Sequence, residues 1–202
     1  KEPFLKLRHQ GLIRGTDGHK MSKSKCNVVN PDPFVEQWGA DAVRLYEMFM
    51  GPFEDGQPWD PRGVVGTYRF LNKIWILVNS KFQNPNDKQI SNSKIQKLLN
   101  QTIKKVTEDI ENFKFNTAIS SLMILVNELE LGAWSLEFTE KLIKLIFPFA
   151  PHIAQELWEI IGETSLLDFE PWPTWDEKLI VDQEFELIIQ INGKLKGTIL
   201  AP

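Results

Sequence analysis

Residues 95–110, IQKLLNQTIKKVTEDI, decide the fold, because their apolar positions recur every three or four residues. The recurring residues are Ile95, Leu99, Ile103, Val106 and Ile110. This spacing places one apolar stripe along an α-helix and leaves the opposite side polar. The stripe therefore predicts a helix that packs against other helices.

Two segments before this stretch predict helices of the same kind. Asp41 is a predicted N-cap, and the helix that follows it is expected to end at Gly51. A longer helix is predicted over residues 64–82. Its expected buried stripe consists of Tyr68, Leu71, Trp75, Val78 and Phe82.

Three further helices are predicted after the central stretch. Asn116 and Ser135 are the predicted N-caps of two of them. Pro151 is expected in the first turn of the last, which ends at Gly162. Because short connections join these helices, we expect an antiparallel bundle.

Near the end of the sequence the periodicity changes from helical to alternating. Apolar residues occupy every second position of residues 185–191 and are followed by Asn192 and Gly193. An Asn-Gly pair between alternating segments is a strong hairpin signal. We therefore expect a β-hairpin and the start of a new domain here.

Composition bounds the class of protein. The chain has 202 residues, of which 42% are hydrophobic and 25% charged, which is typical of a globular protein and excludes a disordered or membrane-spanning one. A net charge of −4 argues against a general nucleic-acid coat, so any RNA contact is expected to be local.

The single Cys26 indicates a reducing compartment, and we expect a cytoplasmic protein. Because the chain starts at Lys1, we expect a fragment of a longer protein.

Residues 19–25 concentrate three lysines and two serines in a loop behind two glycines. Lysines supply flexible positive charge and hydroxyls supply hydrogen bonds, a combination that suits a triphosphate. From composition alone, a solvated surface loop is the alternative.

The sequence of this loop resembles a known family. Residues 20–24, KMSKS, match the signature of the class I aminoacyl-tRNA synthetases, and residues 27–32 and 39–41 continue as in that family. Three stretches resemble the carboxy-terminal part of bacterial leucyl-tRNA synthetases: residues 46–52 (YEMFMGP), 115–120 (FNTAIS) and 190–197 (QINGKLKG). Residues 148–158 (PFAPHIAQELW) also resemble the helix bundle of the family.

The resemblance implies a fold and a domain division. The expected fold is mainly α, with an antiparallel helix bundle of the class I anticodon-binding type over residues 63–180. Residues 1–62 would form the end of a Rossmann-type catalytic domain, with the KMSKS loop and connecting helices. Residues 181–202 would open a small carboxy-terminal domain with a β-hairpin.

The resemblance also implies an activity. The full-length protein would activate leucine with ATP and transfer it to tRNA(Leu), as a monomer. Lys23 and Lys20 would be catalytic, and Lys20, Met21, Ser22, Lys23 and Ser24 would bind ATP, with Met21 packing rather than reacting. Magnesium would arrive with ATP, and no metal ligand set is expected in the chain itself.

Some features depart from the family. Cys26 stands where a glycine is usual, either as a reactive thiol beside lysines or as a tolerated small residue. The partner signature His-x-Gly-His is absent, so the chain alone is predicted to be inactive. His152, Trp172 and Trp175 are expected to be structural.

Two other functions stay open at this point. One is a class I synthetase for another aliphatic amino acid. The other is an RNA-binding module without catalysis.

Overall fold

The computed structural model describes residues 3–83, 93–129, 135–180, 185–191 and 194–201, and it is mainly helical. The helices are α1 (Asp32–Trp38), α2 (Ala40–Phe49), α3 (Pro61–Gln83), α4 (Ser93–Glu111), α5 (Phe115–Leu129), α6 (Leu136–Ile146), α7 (Pro151–Ile160) and α8 (Glu177–Ile180). Short 3-10 turns lie at Lys23–Lys25 and Leu167–Phe169, and the strands are β1 (Phe185–Ile191) and β2 (Lys194–Ala201).

One apolar core is shared by helices α2 to α7. Leu45 of α2, Ile74 of α3, Ile103 of α4 and Leu142 of α6 are each at most 1% exposed within it. Helix α4 packs along α5, α6 packs along α7, and α2 contacts both α3 and α5. The predicted helix bundle is thus present, and α2 contributes to the same core. The predicted boundary between residues 62 and 63 stays a prediction.

Some of the observed helix ends agree with the ends predicted from the sequence. The Ser135 hydroxyl caps α6 by accepting a hydrogen bond from the Phe138 N–H at 3.3 Å, as predicted. Pro151 opens α7, also as predicted, and Gly162, with φ +97°, follows the end of that helix. Such a left-handed residue after a helix is where glycine is favoured.

Two predicted caps are wrong. Helix α2 begins at Ala40, so Asp41 lies inside its first turn and its carboxylate turns toward α7 instead. Helix α5 begins at Phe115, so Asn116 is its second residue and not its cap. In both cases the helix starts two residues earlier than the predicted cap implied. An Asp or Asn in the first turn resembles an N-cap in sequence.

The buried face of α3 is rotated relative to the prediction. Leu71 and Val78 are buried as predicted, but Tyr68 is 38% exposed and Trp75 only half-buried. The core positions of α3 are Val64, Thr67, Phe70, Leu71, Ile74 and Val78. Ile74 and Trp75 are adjacent, and the smaller side chain occupies the close contact between helices while the large ring lies on the flank. The side chain of Phe82 is outside the described part.

Residues 3–31 contain no α-helix and no extended strand in the described structure. Two isolated bridges pair Arg14 with Lys20 and with Pro58. The Rossmann-type catalytic end predicted for this segment therefore stays a prediction.

Strands β1 and β2 pair antiparallel, with Phe185 opposite Ala201 and an irregularity between Ile189 and Gln190. The predicted Asn192-Gly193 turn lies outside the described residues. None of the described helices is long and apolar enough to span a bilayer.

Candidate ATP-binding loop

The KMSKS loop, residues 20–24, follows a tight turn. The Gly15 N–H donates to the His19 carbonyl at 2.8 Å, and the Gly18 N–H donates to the Gly15 carbonyl at 2.9 Å. Gly15 is buried, and a Cβ there would lie 2.8 Å from Oδ1 of Asp17 and 2.9 Å from the Asn27 carbonyl. A side chain at position 15 would therefore push the turn away from the segment that leaves the loop.

The second half of the loop is a single 3-10 turn. The Ser22 carbonyl accepts from the Lys25 N–H at 3.1 Å, and the Lys23 carbonyl accepts from the Cys26 N–H at 3.2 Å. Cys26 closes the turn with φ 52° and ψ 26°, in the left-handed region. A residue with a Cβ pays roughly 1–2 kcal/mol there relative to the right-handed conformation. The cysteine thus stands where glycine would be less strained.

Asn27 joins the two sides of the loop through its side-chain amide. Its Oδ1 accepts from the Ser22 N–H at 2.8 Å. Its Nδ2 donates to the two carboxylate oxygens of Asp17 at 3.1 and 3.2 Å and to the Lys20 carbonyl at 3.3 Å. In the sequence, Asn27 is only part of the stretch 27–32 that resembles the family, and this role was not predicted. A polar side chain just after a loop was the available signal.

The polar side chains of the loop are cationic and hydroxylic. Lys20 and Lys23 are exposed, and the hydroxyls of Ser22 and Ser24 are 2.8 Å apart. Met21 is half-buried and packs against the apolar core, and this contact anchors the loop to the helices. The five predicted residues are consecutive in the sequence. Their contact with ATP stays a prediction.

Asp17 is the acidic group beside this loop. The His19 N–H, which donates to Oδ1 at 3.0 Å, lowers the pKa of Asp17, and the hydrogen bond from the Asn27 amide lowers it further. Asp17 is therefore ionised at neutral pH. Its carboxylate holds the turn by accepting hydrogen bonds from the His19 N–H and the Asn27 amide. In the described structure these bonds do not come from the lysines of the loop.

The loop segment is attached to the helices through residues 53–60. Arg14 donates its N–H to the Gln57 carbonyl at 2.8 Å and accepts from the Trp59 N–H at 3.0 Å. Trp59 is buried, with its ring centroid 5.1 Å from those of Phe34 and Tyr46. This indole therefore fixes the base of the loop segment against α1 and α2.

The residues expected to be structural have structural contacts. His152 places Nδ1 2.7 Å from Oδ1 of Asp41, while most of its ring is exposed. Trp172 donates Nε1–H to the Thr107 hydroxyl on α4 at 2.8 Å, and Trp175 donates to Glu177 at 2.9 Å. In the part of the chain that the structure describes, none of these hydrogen bonds reaches the KMSKS loop. No group of three His, Cys, Asp or Glu residues arranged for a metal ion occurs in that part of the chain.

A separate cleft of about 480 Å³ lies between residues 10–13, the end of α2 and residues 51–57. Met48, Phe53 and Phe115 are among the apolar residues that line it. No residue of the KMSKS loop does so. The cleft is thus distinct from the loop.

Two family models match the chain. Residues 92–202 match the anticodon-binding domain of tRNA ligase, and residues 1–55 match the class I tRNA synthetases (I, L, M and V). Curated relatives include the leucine–tRNA ligases of Chlorobaculum parvum, 50% identical, and Leptospira biflexa, 48% identical, in both cases over 100% of this chain. The chain spans only 25% and 24% of those two proteins.

Solved structures give the same result. A LeuRS from Agrobacterium radiobacter, in a ternary complex with tRNA and LeuAMS, is 36% identical and superposes with a TM-score of 0.83, covering 100% of this chain and 28% of that one. The methionyl-tRNA synthetase of Mycobacterium tuberculosis, in complex with methionyl-adenylate, is 16% identical with a TM-score of 0.64, covering 77% of this chain and 38% of that one, and shares the fold. The chain therefore belongs to the family of the anticodon-binding domain of tRNA ligase, and over its whole length it is similar to leucine–tRNA ligases.

Proposed function

We propose that this chain is part of a leucine–tRNA ligase, in which it supplies the ATP-site loop and surfaces for tRNA(Leu). The observation that carries the proposal is a sequence identity of 48% to 50% with leucine–tRNA ligases over the whole chain. The complete protein would form leucyl-adenylate and pyrophosphate from leucine and ATP. It would then transfer the leucyl group to the terminal ribose of tRNA(Leu).

Within this activity, Lys23 and Lys20 stabilise the negative charge of the phosphates. Their exposed ammonium groups sit on a hydrogen-bonded main chain, which fixes the origin of each side chain. Preorganised positive charge near a reacting phosphoryl group is an effective source of transition-state stabilisation. Ser22 and Ser24 add hydrogen bonds, and Met21 anchors the loop against the core. A magnesium ion would accompany the phosphates of ATP.

The rest of the chain presents this loop to the tRNA-binding part. The loop segment hydrogen-bonds to residues 57 and 59, and Trp59 packs on α1 and α2. Helix α2 shares its core with the bundle. The bundle resembles the corresponding part of the LeuRS solved with tRNA, which supports tRNA(Leu) as the macromolecular partner.

The test is amino-acid-dependent ATP–pyrophosphate exchange by the full-length parent protein. Leucine, isoleucine, valine and methionine are compared, followed by aminoacylation of tRNA(Leu). We expect leucine to exceed the other three in kcat/KM by roughly tenfold to 200-fold, because aliphatic side chains differ by at most a few apolar groups. Faster exchange with isoleucine or valine would assign the protein to another aliphatic amino acid. Absence of exchange with any of the four, together with tRNA binding, would indicate a non-catalytic RNA-binding module.

A further inference from the structure

We propose that Asn27 is a positioning residue, which holds the main chain of the KMSKS loop in the shape that presents Lys20 and Lys23. The inference deepens the proposed function and rests on it for the identity of the reaction. Asn27 itself lies outside the signature, and its amide is turned toward the loop's own main chain. It therefore acts on the reaction through the loop.

One side chain connects three parts of this region. Oδ1 binds the Ser22 N–H, and Nδ2 binds the Lys20 carbonyl, so the amide clamps both sides of Met21. The same Nδ2 binds the carboxylate of Asp17 in the preceding turn. Because Asn27 itself follows the 3-10 turn Lys23–Lys25, the clamp also closes that turn across the loop.

The bonding pattern is specific for asparagine. Position 27 must accept one hydrogen bond and donate others at the same time, and a side-chain amide is the short group that does both. An aspartate would keep the acceptor but would bring a second carboxylate to Asp17. An alanine would leave the Ser22 N–H and the Lys20 carbonyl without this partner. Gly15 leaves room for the amide, since a Cβ there would lie 3.1 Å from Nδ2.

The clamp matters for catalysis because it acts on the main chain from which the two exposed lysine side chains extend. Lys20 and Lys23 are exposed, so the reach of each ammonium group is set by the position of its main chain. A displacement of about 1 Å in a positioned group can cost roughly a hundredfold in rate. A clamp on the main chain between these two lysines is therefore a control on the rate of adenylate formation.

The experiment uses the full-length parent protein with three variants, Asn27→Ala, Asn27→Asp and the double variant Asn27→Asp/Asp17→Asn. Single-turnover adenylate formation and equilibrium leucine binding are measured for each. We expect Asn27→Ala to slow adenylate formation by roughly 10- to 100-fold with little change in leucine affinity. Asn27→Asp should be slower still, because its carboxylate faces that of Asp17. The double variant should recover about tenfold relative to Asn27→Asp, because it restores an amide–carboxylate pair.

The matched control is Asn30→Ala, an exposed asparagine in the same segment whose Oδ1 accepts from the Asp32 N–H at 3.2 Å. It should react at the wild-type rate. Wild-type rates in Asn27→Ala, or a double variant no faster than Asn27→Asp, would overturn the proposal. A lowered melting temperature with lost leucine binding in Asn27→Ala would make Asn27 a folding residue instead, which also overturns it.

A second readout does not depend on activity. Hydrogen exchange of the Ser22 amide should be slow in the wild-type protein and at least about tenfold faster in Asn27→Ala, because that N–H loses its acceptor. If the wild-type protein shows no leucine-dependent ATP–pyrophosphate exchange, the proposed function fails. Hydrogen exchange of the Ser22 amide still tests the clamp in that case. Equal Ser22 exchange in both proteins would show that the clamp does not exist.

Discussion

The carboxylate of Asp41, in the first turn of α2, caps the first turn of a different helix, α7. Its Oδ2 accepts from the Ile153 N–H at 2.8 Å, and its Oδ1 lies 2.7 Å from Nδ1 of His152. The free N–H groups and positive end of a helix favour a carboxylate at this place. Arg44 adds a bond from α2 to the Pro148 carbonyl at 3.3 Å. Helix α2 is thus tied to the start of helix α7 in the bundle.

Removal of this cap should lower stability measurably. We expect Asp41→Ala to reduce the free energy of unfolding by about 2 kcal/mol, because a buried charge-assisted hydrogen bond and a helix cap are lost together. His152→Ala should change it by less than about 0.5 kcal/mol, because the ring is 75% exposed and the bond to Ile153 remains. Urea unfolding of the chain measures both. An equal loss in the two variants would mean that His152, and not the helix cap, makes the contact that matters.

The buried face of α3 can be tested with two isoleucines on the same helix. Ile74 is 0% exposed and Ile76 is 60% exposed. Ile74→Ala should lower the free energy of unfolding by about 3 kcal/mol, and Ile76→Ala by less than about 0.5 kcal/mol. The same unfolding measurement decides it. Similar values for both would contradict the orientation of α3 described above.

The sequence predicts the helices well because their apolar spacing survives in the structure, as in α4, where Ile95, Leu99, Ile103 and Val106 are all buried. It predicts less well which of two adjacent apolar residues faces inward, as Ile74 and Trp75 show. Periodicity gives a stripe about 100° wide, and packing against a particular neighbour selects the face within it.

Polar partners distant in sequence are the part that could not be predicted. Asp41 and Ile153 are 112 positions apart, and nothing local distinguishes a residue that caps its own helix from one that caps another. In the loop, the signature string predicts that the lysines and serines belong to the site. The hydrogen bonds of Asn27, in contrast, depend on how the chain folds back at Gly15. Such contacts follow from tertiary structure and leave no periodic signal.

The left-handed conformation of Cys26 predicts opposite effects for two substitutions. Cys26→Gly should preserve or increase protection of the Ser22 amide, because glycine adopts a φ of 52° without strain. Cys26→Val should reduce it at least about fivefold, because a β-branched residue resists this conformation. Hydrogen exchange of the loop amides is the measurement. Exchange that is faster than in the wild-type protein, and equally so in Cys26→Gly and Cys26→Val, would show that the thiol, and not the backbone conformation, supports the loop.

The contacts around Trp158 predict an acid transition. The Ser165 hydroxyl accepts from the indole Nε1–H and donates to Glu170 at 2.8 Å, and Lys144 binds the same carboxylate at 3.1 Å. The two hydrogen bonds to Glu170 lower its pKa below the usual 4.5, and the bond from Ser165 has the larger effect. A lowered pKa in the folded state means that the stabilisation is complete above about pH 4.5 and is lost as the pH falls through the folded value.

Tryptophan fluorescence should therefore stay constant between about pH 5 and 8 and change at more acidic pH. Glu170→Gln should show part of the acid-state signal already at pH 7, and its fluorescence should respond less to acid. A wild-type transition centred above pH 4.5 would contradict the direction of the shift.

The last prediction concerns Lys23 in the full-length protein. Lys23→Ala should slow adenylate formation by roughly a hundredfold to a thousandfold, about 3–4 kcal/mol of activation free energy, because one preorganised cationic group at the phosphates is lost. Leucine affinity should stay within about twofold, since the role proposed for Lys23 is at the phosphates of ATP and not at the amino acid. Lys23→Arg should fall between alanine and lysine, because it keeps the charge but not the compact ammonium geometry.

Lys25→Ala is the matched control, because Lys25 is exposed in the same 3-10 turn but lies outside the signature. It should lose less than about tenfold in rate, since a charge that contacts no phosphate contributes only a screened field. Single-turnover adenylate formation beside equilibrium leucine binding separates the outcomes. If Lys23→Ala and Lys25→Ala are equally slow, the loop acts through net positive charge, and Lys23 has no particular contact. If Lys23→Ala reacts at the wild-type rate, Lys23 is a surface lysine and its catalytic assignment is wrong.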